Sequence, residues 1–391
     1  MHQFHNLLGP AISAIFAGNG IVLKGSEATA WSSQYYTRIL RASLSAHGHS
    51  PALIQSLACW PQTASHLTSH PSISHLTFIG SRPIALHVAA SASRALTPLC
   101  LELGGKDVAL VLADTADADR VVSILMRGAF QSAGQNCIGI ERVVVCGGDL
   151  YAEVVEKLRR RIAALRVGSD LDDEDETVDV GAMISDASFA RLERLVADAV
   201  AAGARCLVGG KRLLHPRHPK GHYFQPTLLV DVTAEMEVAR EECFGPICTV
   251  MAARDTDEGI AIANAGAYGL GASVFGESAE ELERVTRELR VGMVAVNDFA
   301  VYYLCQLPFG GVRGSGYGRF AGEEGLRSLC NLKSVSRDRL PGLVRTTIPG
   351  PLQYPIGGAR RAWRMCCGIV ELGYGETWGR MFGGLWKLIS A

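Results

Sequence analysis

Two stretches carry residues able to do chemistry: "FQSAGQNC", which ends on Cys137, and "LCLELGGKD", which holds Glu102. A cysteine is a strong nucleophile once ionised. The flexible Gly134 and the two amides before Cys137 offer hydrogen-bond donors to a thiolate, and to the oxyanion formed when it attacks a carbonyl. Glu102 stands between leucines ahead of Gly104 and Gly105. Apolar surroundings raise a carboxyl group's pKa toward the range of a general base. Each residue also has a plain reading. A free cysteine is most often a small buried hydrophobe, and a glutamate at a strand end is most often structural or exposed. Nucleophile and base, or buried thiol and surface carboxylate, both remain open on these residues alone.

The elements around them follow an α/β rhythm. "GIVLKGSE" reads as a strand over Gly20 to Leu23, followed by a helix from about Thr29 to Leu44. "HLTFIGS" is a strand entering a glycine turn, and "PIALHVAASASRA" continues as a helix. "DVALVLADTAD" is a third strand whose acidic end caps the helix "DADRVVSILMRGAF". Beyond Cys137, "ERVVVCGG" and "ARCLVGG" read as strands, and "LYAEVVEKLRRRIAAL" and "SDASFARLERLVADAVAAG" as amphipathic helices. "SAEELERVTRELRVGMVAVND" is helix then strand. Alternating strands and helices imply a mostly parallel sheet covered on both faces.

The bulk numbers narrow the function classes. At 391 residues and 48% apolar, the chain can bury two sizeable cores, and 43 glycines favour a loop-rich α/β architecture. A net charge of -1, without a Lys/Arg stripe, disfavours nucleic acid. Eleven cysteines without a CxxC speak against a disulfide framework and against a metal site, and suit a reducing, cytoplasmic setting. The apolar stretch "AISAIFAGNGIVL" is broken by glycines and Asn19, so neither a signal peptide nor a membrane span is expected. "SDLDDEDETVD" reads as a solvated acidic loop rather than a calcium loop. From Pro341 onward there are six Lys/Arg against two Asp/Glu and three of the five tryptophans. Such a basic, aromatic, amphipathic tail fits an anionic membrane surface, or packing onto protein.

Taken in order, "FAGNGIVLKGSE", "FIGS", "LELGGKD", "GQNC", "EECFGP", "NDF" and "PFGGVRGSGYGR" resemble the aldehyde dehydrogenase superfamily over roughly residues 4 to 340. "GRFAGEEGLRSLCNLKSV" and "IPGPLQYP" look most like its membrane-associated fungal and plant branch. The resemblance implies an incomplete Rossmann-type NAD-binding domain plus an α/β catalytic domain. The partial NAD-binding domain would span 1–103, the catalytic domain 104–312 and a return to the first domain 313–331. An oligomerisation strand would follow over 332–340, and then the tail, 341–391. Cys137 would attack an aldehyde to give a thiohemiacetal, and hydride loss to nicotinamide would leave a thioester. Glu102 would activate the water that hydrolyses it. A thiol with a pKa near ~8.5 is only slightly ionised at neutral pH, so the site is expected to favour the thiolate.

Cofactor roles carry over by position. Lys24 and Glu27 resemble the pair that holds the adenosine ribose, and a carboxylate there favours NAD over NADP. Gly80 and Ser81 match a pyrophosphate contact at a helix N-terminus. Glu242 matches a nicotinamide-ribose contact, with Phe244 beside it. Gly25 stands where the family usually has proline.

The resemblance also implies a homo-oligomer and a small aldehyde substrate, with Val301 and Tyr302 hinting at an apolar tunnel. The chain is expected in the cytoplasm or on the cytosolic face of an internal membrane such as the endoplasmic reticulum. Family members carry a long N-terminal portion and a "PWN" segment ahead of a stretch like "FHNLLGP", and Met1 falls where that asparagine would stand. Loss of one oxyanion donor costs about 10²–10³ in rate. The expectation is therefore an N-terminally truncated chain from an incomplete gene model. The alternative is a catalytically silent remnant that acts as a binding or membrane-peripheral protein.

Overall fold

The computed structural model describes residues 3–169, 177–340, 342–343 and 346–391. Most of the acidic loop read from the sequence (170–176) lies outside them. The chain divides into two compact units, Met1–Asn331 and Leu332–Ala391.

In the first unit the strands "DVALV", "IERVVVC", "TLLV", "ICTVMAA" and "GASVF" are almost wholly buried. Continuous apolar runs of this kind are what strands covered on both faces require. They form a seven-stranded sheet in the order Met293–Val296, Gly271–Phe275, Asp107–Val111, Ile140–Cys146, Ile247–Ala253, Thr227–Val230, Arg205–Val208. All neighbours pair in parallel except the last two, which are antiparallel. Helices join the strands, and their caps are local. Asp117, Asp255 and Ser278 each accept the backbone N–H three residues on, starting Ala118–Phe130, Thr256–Asn264 and Ala279–Glu288.

Besides a two-stranded antiparallel ribbon of Arg212–Leu213 and Tyr223–Phe224, two small sheets bear on the site. Ile21–Lys24 pairs in parallel with Ile54–Leu57. Leu76–Ile79 pairs in parallel with Leu99–Glu102, which Gly316–Tyr317 joins antiparallel. The two are not hydrogen-bonded into one sheet. The first expected strand runs one residue later than read, and the helix after it spans Ala30–Ala46.

Among the strands that the sequence did not reveal are Thr227–Val230, Ile247–Ala253 and Gly271–Phe275. Each is short or buried on both sides, so it lacks the alternation that marks a half-exposed strand.

In the second unit, residues 332–338 adopt no regular structure, so the strand expected over 332–340 is not formed within the single chain. A strand needs a hydrogen-bonding neighbour, and none of the described strands pairs there. The tail is a pair of helices, Ala359–Tyr374 and Trp378–Ile389, broken at Gly375. Its glycines have a packing role. A Cβ on Gly368 would lie 2.8 Å from the Gly384 carbonyl oxygen, and one on Gly384 would lie 2.6 Å from the Leu372 nitrogen. No described helix is long and apolar enough to cross a membrane.

Candidate active site

Four loops meet at the amino-terminal edge of the large sheet, because neighbouring parallel strands all begin there. Gly104 to Lys106 leads into Asp107–Val111, the cysteine loop into Ile140–Cys146, Glu242 to Pro246 into Ile247–Ala253, and Leu270 into Gly271–Phe275. Facing them is the carboxyl edge of the three-stranded sheet. Glu102 is the last residue of its strand, and Gly80 N–H donates to the Glu102 carbonyl oxygen (3.1 Å). Only four residues separate Glu102 from the next strand, so the two sheets are held close at this point.

The cysteine loop is built from uncommon backbone. After helix Ala118–Phe130, Ser132, Ala133 and Gly134 all have positive φ (56°, 53° and 70°). Gln135 pins the turn: its Nε2 donates to the Ser132 carbonyl (3.1 Å), and its Oε1 accepts from the Ile184 N–H (3.0 Å). Asn136 is buried, with Oδ1 3.4 Å from the Ile138 nitrogen and 3.9 Å from the Cys137 sulfur.

Glu102 is 1% exposed, and its Oε1 has no hydrogen-bond partner. Burial raises its carboxyl to about 7, although the adjoining Cys137 thiol works the other way. For Cys137, burial first and then the charges of Glu102, Asp107 and Glu242 push the thiol well above its ordinary range. The expectation that the site favours a thiolate is therefore overturned for the chain by itself. The thiol sits among acids in a poorly solvated place, and each of those influences opposes a second negative charge.

The double glycine of "LELGGKD" has steric causes. A Cβ on Gly104 would lie 2.3 Å from Glu242 Oε2, and one on Gly105 would lie 2.6 Å from the Cys137 carbonyl oxygen. Gly105 N–H donates to Glu242 Oε1 (3.2 Å). Burial, and then Glu141, raise the Glu242 carboxyl to about 8. Cys137, Glu102 and Glu242 thus come together with Gly80 and Ser81 nearby. Phe244 is fixed through its N–H, which donates to Glu141 Oε1 (2.9 Å), and its φ is +52°.

Lys24, at the end of its strand, and Glu27, in the turn of helix that follows, stand apart as an exposed ion pair at 3.1 Å. A backbone N–H and Lys24 hold the Glu27 carboxyl below its usual range. Gly25, the departure from the family pattern, is explained by its neighbour: a Cβ there would lie 2.5 Å from Ser33 Oγ.

Several residues were missed. Tyr303 adjoins the thiol with its hydroxyl unpartnered, and its ring stacks on His5 (4.6 Å) and Phe309 (5.0 Å). Tyr302 is buried as the apolar reading expected, whereas Val301 is exposed. Beneath the site, Lys106 pairs with Glu141 at 2.5 Å, and Glu141 also accepts from the Cys243 N–H (2.8 Å). The signal was available: two charges inside apolar strand patterns, in "GGKDVALV" and "IERVVVC".

A nicotinamide dinucleotide fits these groups. Glu27 would offer a carboxylate, and Glu242 a carboxyl group, to ribose hydroxyls. No side chain caps helix Arg82–Ala92 at Ser81, which leaves its first N–H groups open for an anion. A cavity of about 640 Å³ opens there, lined by Arg82, Pro83, Arg240, Glu241 and Tyr268 among others. Its lining stops short of Cys137 and Glu102.

Fold and site thus define an α/β protein with a thiol and a carboxyl enclosed between two sheets. The sequence profile of the Aldehyde dehydrogenase family matches residues 4–335, and the chain belongs to that family. It is 52% identical to an aldehyde dehydrogenase-like protein of Schizosaccharomyces pombe, over 96% of this chain and 70% of the relative. Identity to one of Saccharomyces cerevisiae is also 52%, over 97% of this chain and 60% of that relative. The crystal structure of a Mycobacterium tuberculosis aldehyde dehydrogenase complexed with NAD+ superposes with a TM-score of 0.75 at 30% identity. That match covers 82% of this chain and 64% of the other. The chain therefore spans roughly two thirds of the length of the proteins it matches.

Proposed function

We propose that this protein oxidises an aldehyde to a carboxylic acid with NAD+, through a covalent intermediate on Cys137. The observation that carries the reading is the buried Glu102 carboxyl beside the Cys137 thiol, with its Oε1 left without a partner. With its pKa near 7, Glu102 can accept a proton at neutral pH and give it up again.

The chain's own groups account for the protein side of each step. Cys137 Sγ forms a bond to the aldehyde carbon while its proton passes to Glu102. Asn136 and the backbone of its turn lie beside the sulfur, where the oxyanion develops. Glu27, Ser81 and Glu242 would hold the dinucleotide, and Phe244 would pack beside it. Bound nicotinamide supplies the hydride acceptor. The acyl group left on Cys137 is then attacked by water whose proton Glu102 takes, so one aldehyde, one NAD+ and one water become acid, NADH and a proton. Glu27 supports NAD over NADP, because a carboxylate there repels a 2′-phosphate. Tyr302, Tyr303 and Phe309 support an apolar substrate.

Three wider readings belong to the same proposal. The protein acts as a homo-oligomer, paired through residues 332–340. Eleven free thiols support a reducing compartment. The exposed tryptophans and arginines of the tail support peripheral contact with an anionic membrane surface.

The test is NADH formation by the chain with a panel of apolar aldehydes, compared with Cys137→Ala and Glu102→Gln. Cys137→Ala should abolish turnover, and Glu102→Gln should slow acid release at least about 10²-fold. A folded chain whose NAD+ binding raises Tm but whose turnover is absent would replace this reading with that of a binding protein.

A further inference from the structure

The open end of the C-terminal helix pair holds a concentration of positive charge that its own unit does not neutralise. Arg360 and Arg361 lie in the first turn of helix Ala359–Tyr374, with Arg364 one turn on, and that first turn contains no acid. A helix N-terminus is itself the positive end of the dipole, so cations there are disfavoured. No side chain caps the helix at Gly358, which leaves its first N–H groups open. None of the three arginines is ion-paired among the described residues. The second helix brings Lys387 to the same place. A cavity of about 480 Å³ lies between the helices, lined by Arg360, Arg361, Arg364, Lys387, Trp363 and Cys367, with Ser390. Among the described residues, Lys387 alone of the four cations has an acidic partner, Glu371.

The apolar surface is arranged around this cavity. The glycine crossing at Gly368 and Gly384 turns the small residues inward and the large ones out. Trp363 is 72% exposed, and Val370 and Tyr374 share its stripe at helical spacing. Trp378 (76%) and Trp386 (66%) are exposed with Phe382 and Ile389 on the second helix. Tryptophan, with one apolar body and one polar N–H, suits the level of lipid headgroups. A protein partner would cover the tryptophans but would have to supply acids to the cavity. An anionic bilayer offers both at one depth.

We propose that the cavity among Arg360, Arg361, Arg364 and Lys387 binds the phosphate of an anionic phospholipid headgroup, while the tryptophans around it enter the interface. This rests on the reading of the tail as membrane-peripheral and adds a defined headgroup site to it. The open helix N-terminus and the arginines supply donors to the phosphate oxygens, as at other anion sites of this kind.

The experiment is co-sedimentation of the full chain with vesicles of phosphatidylcholine alone and of phosphatidylcholine mixed with phosphatidylserine. The variants are Arg360→Gln/Arg361→Gln/Arg364→Gln and, separately, Trp378→Ala/Trp386→Ala. Circular dichroism confirms that each keeps its helices. The site predicts binding to the mixed vesicles, weakened about five-fold for each arginine removed. Loss of the tryptophans should weaken binding to both vesicle types. Equal binding of the parent chain to both vesicle types would overturn the headgroup site and leave membrane contact standing. Binding to neither would overturn both. Inorganic phosphate that quenches Trp363 fluorescence while no vesicle is bound would assign the cavity to a soluble anion and overturn the lipid proposal.

Discussion

Glu141 holds Lys106 and the Cys243–Phe244 backbone with one buried carboxylate: Lys106 Nζ donates at 2.5 Å, Cys243 N–H at 2.8 Å and Phe244 N–H at 2.9 Å. Lys106, just ahead of one strand, and Glu141, within the next, thus fix the turn that carries Glu242. Glu141 touches none of the reacting atoms, so it is a positioning residue.

Replacing Glu141 with Gln should leave Lys106 buried and unpaired, at a cost of about 3–5 kcal/mol. Denaturant unfolding would show this as a lower midpoint with an unchanged slope. The double variant Lys106→Met/Glu141→Leu should recover much of the stability, yet bind NAD+ more weakly than the parent, because Phe244 loses its anchor. Full recovery of NAD+ binding would remove the positioning role.

Gly134 and Gly245 are in backbone contact: a Cβ on Gly134 would lie 2.1 Å from the Gly245 carbonyl oxygen, at a φ of +70°. Gly134→Ala must therefore move one loop. The expected result is about 1–3 kcal/mol of lost stability. Turnover should fall about 10²-fold, because Cys137 follows Gly134 by three residues in the same loop and moves with it. A crystal structure of the variant with Cys137 unmoved would contradict the second expectation.

Glu102 also makes stability and rate depend on pH in opposite directions. Its carboxyl is raised from 4.5 to about 7 in the folded chain, so the folded state binds its proton more tightly than the unfolded one. That contribution is fully present below about pH 4.5 and is lost as pH rises through about 7. It amounts to about 3 kcal/mol, which Glu102→Gln should remove from the slope of stability against pH. Turnover needs the ionised form, and kcat/KM should rise with a midpoint near pH 7. A rate profile flat from pH 6 to 8, on the order of two units around that midpoint, would rule out Glu102 as the base.

Glu27→Ser should relax cofactor choice. If Glu27 holds the adenosine ribose as proposed, removing its exposed carboxylate removes repulsion of a 2′-phosphate, and the NADP-to-NAD ratio of kcat/KM should rise about ten-fold. An unchanged ratio would assign the preference elsewhere.

Much of this was legible before the fold. Cys137 and Glu102 were visible because a thiol behind "GQN" and a carboxylate before "GG" are unusual companions. The helix capped by Asp117 was visible because the cap is local. Asp107, Glu141 and Tyr303 were not, since nothing in "KDVALV", "GIERVV" or "VYYL" says which way a side chain faces. The strands Thr227–Val230, Ile247–Ala253 and Gly271–Phe275 were hidden for a related reason. A strand covered on both faces has no period to read.

The sequence by itself determined the residue types able to react, the local starts of helices and the membership of a family. All of these depend on neighbours along the chain. Tertiary structure decided the charge state of the centre. Burial and through-space charge, from residues up to 137 positions apart in sequence such as Gly105 and Glu242, turn Cys137 into a suppressed thiol and Glu102 into a carboxyl poised near neutrality. A pKa answers to distance in space, and only the packing of the two sheets sets that distance.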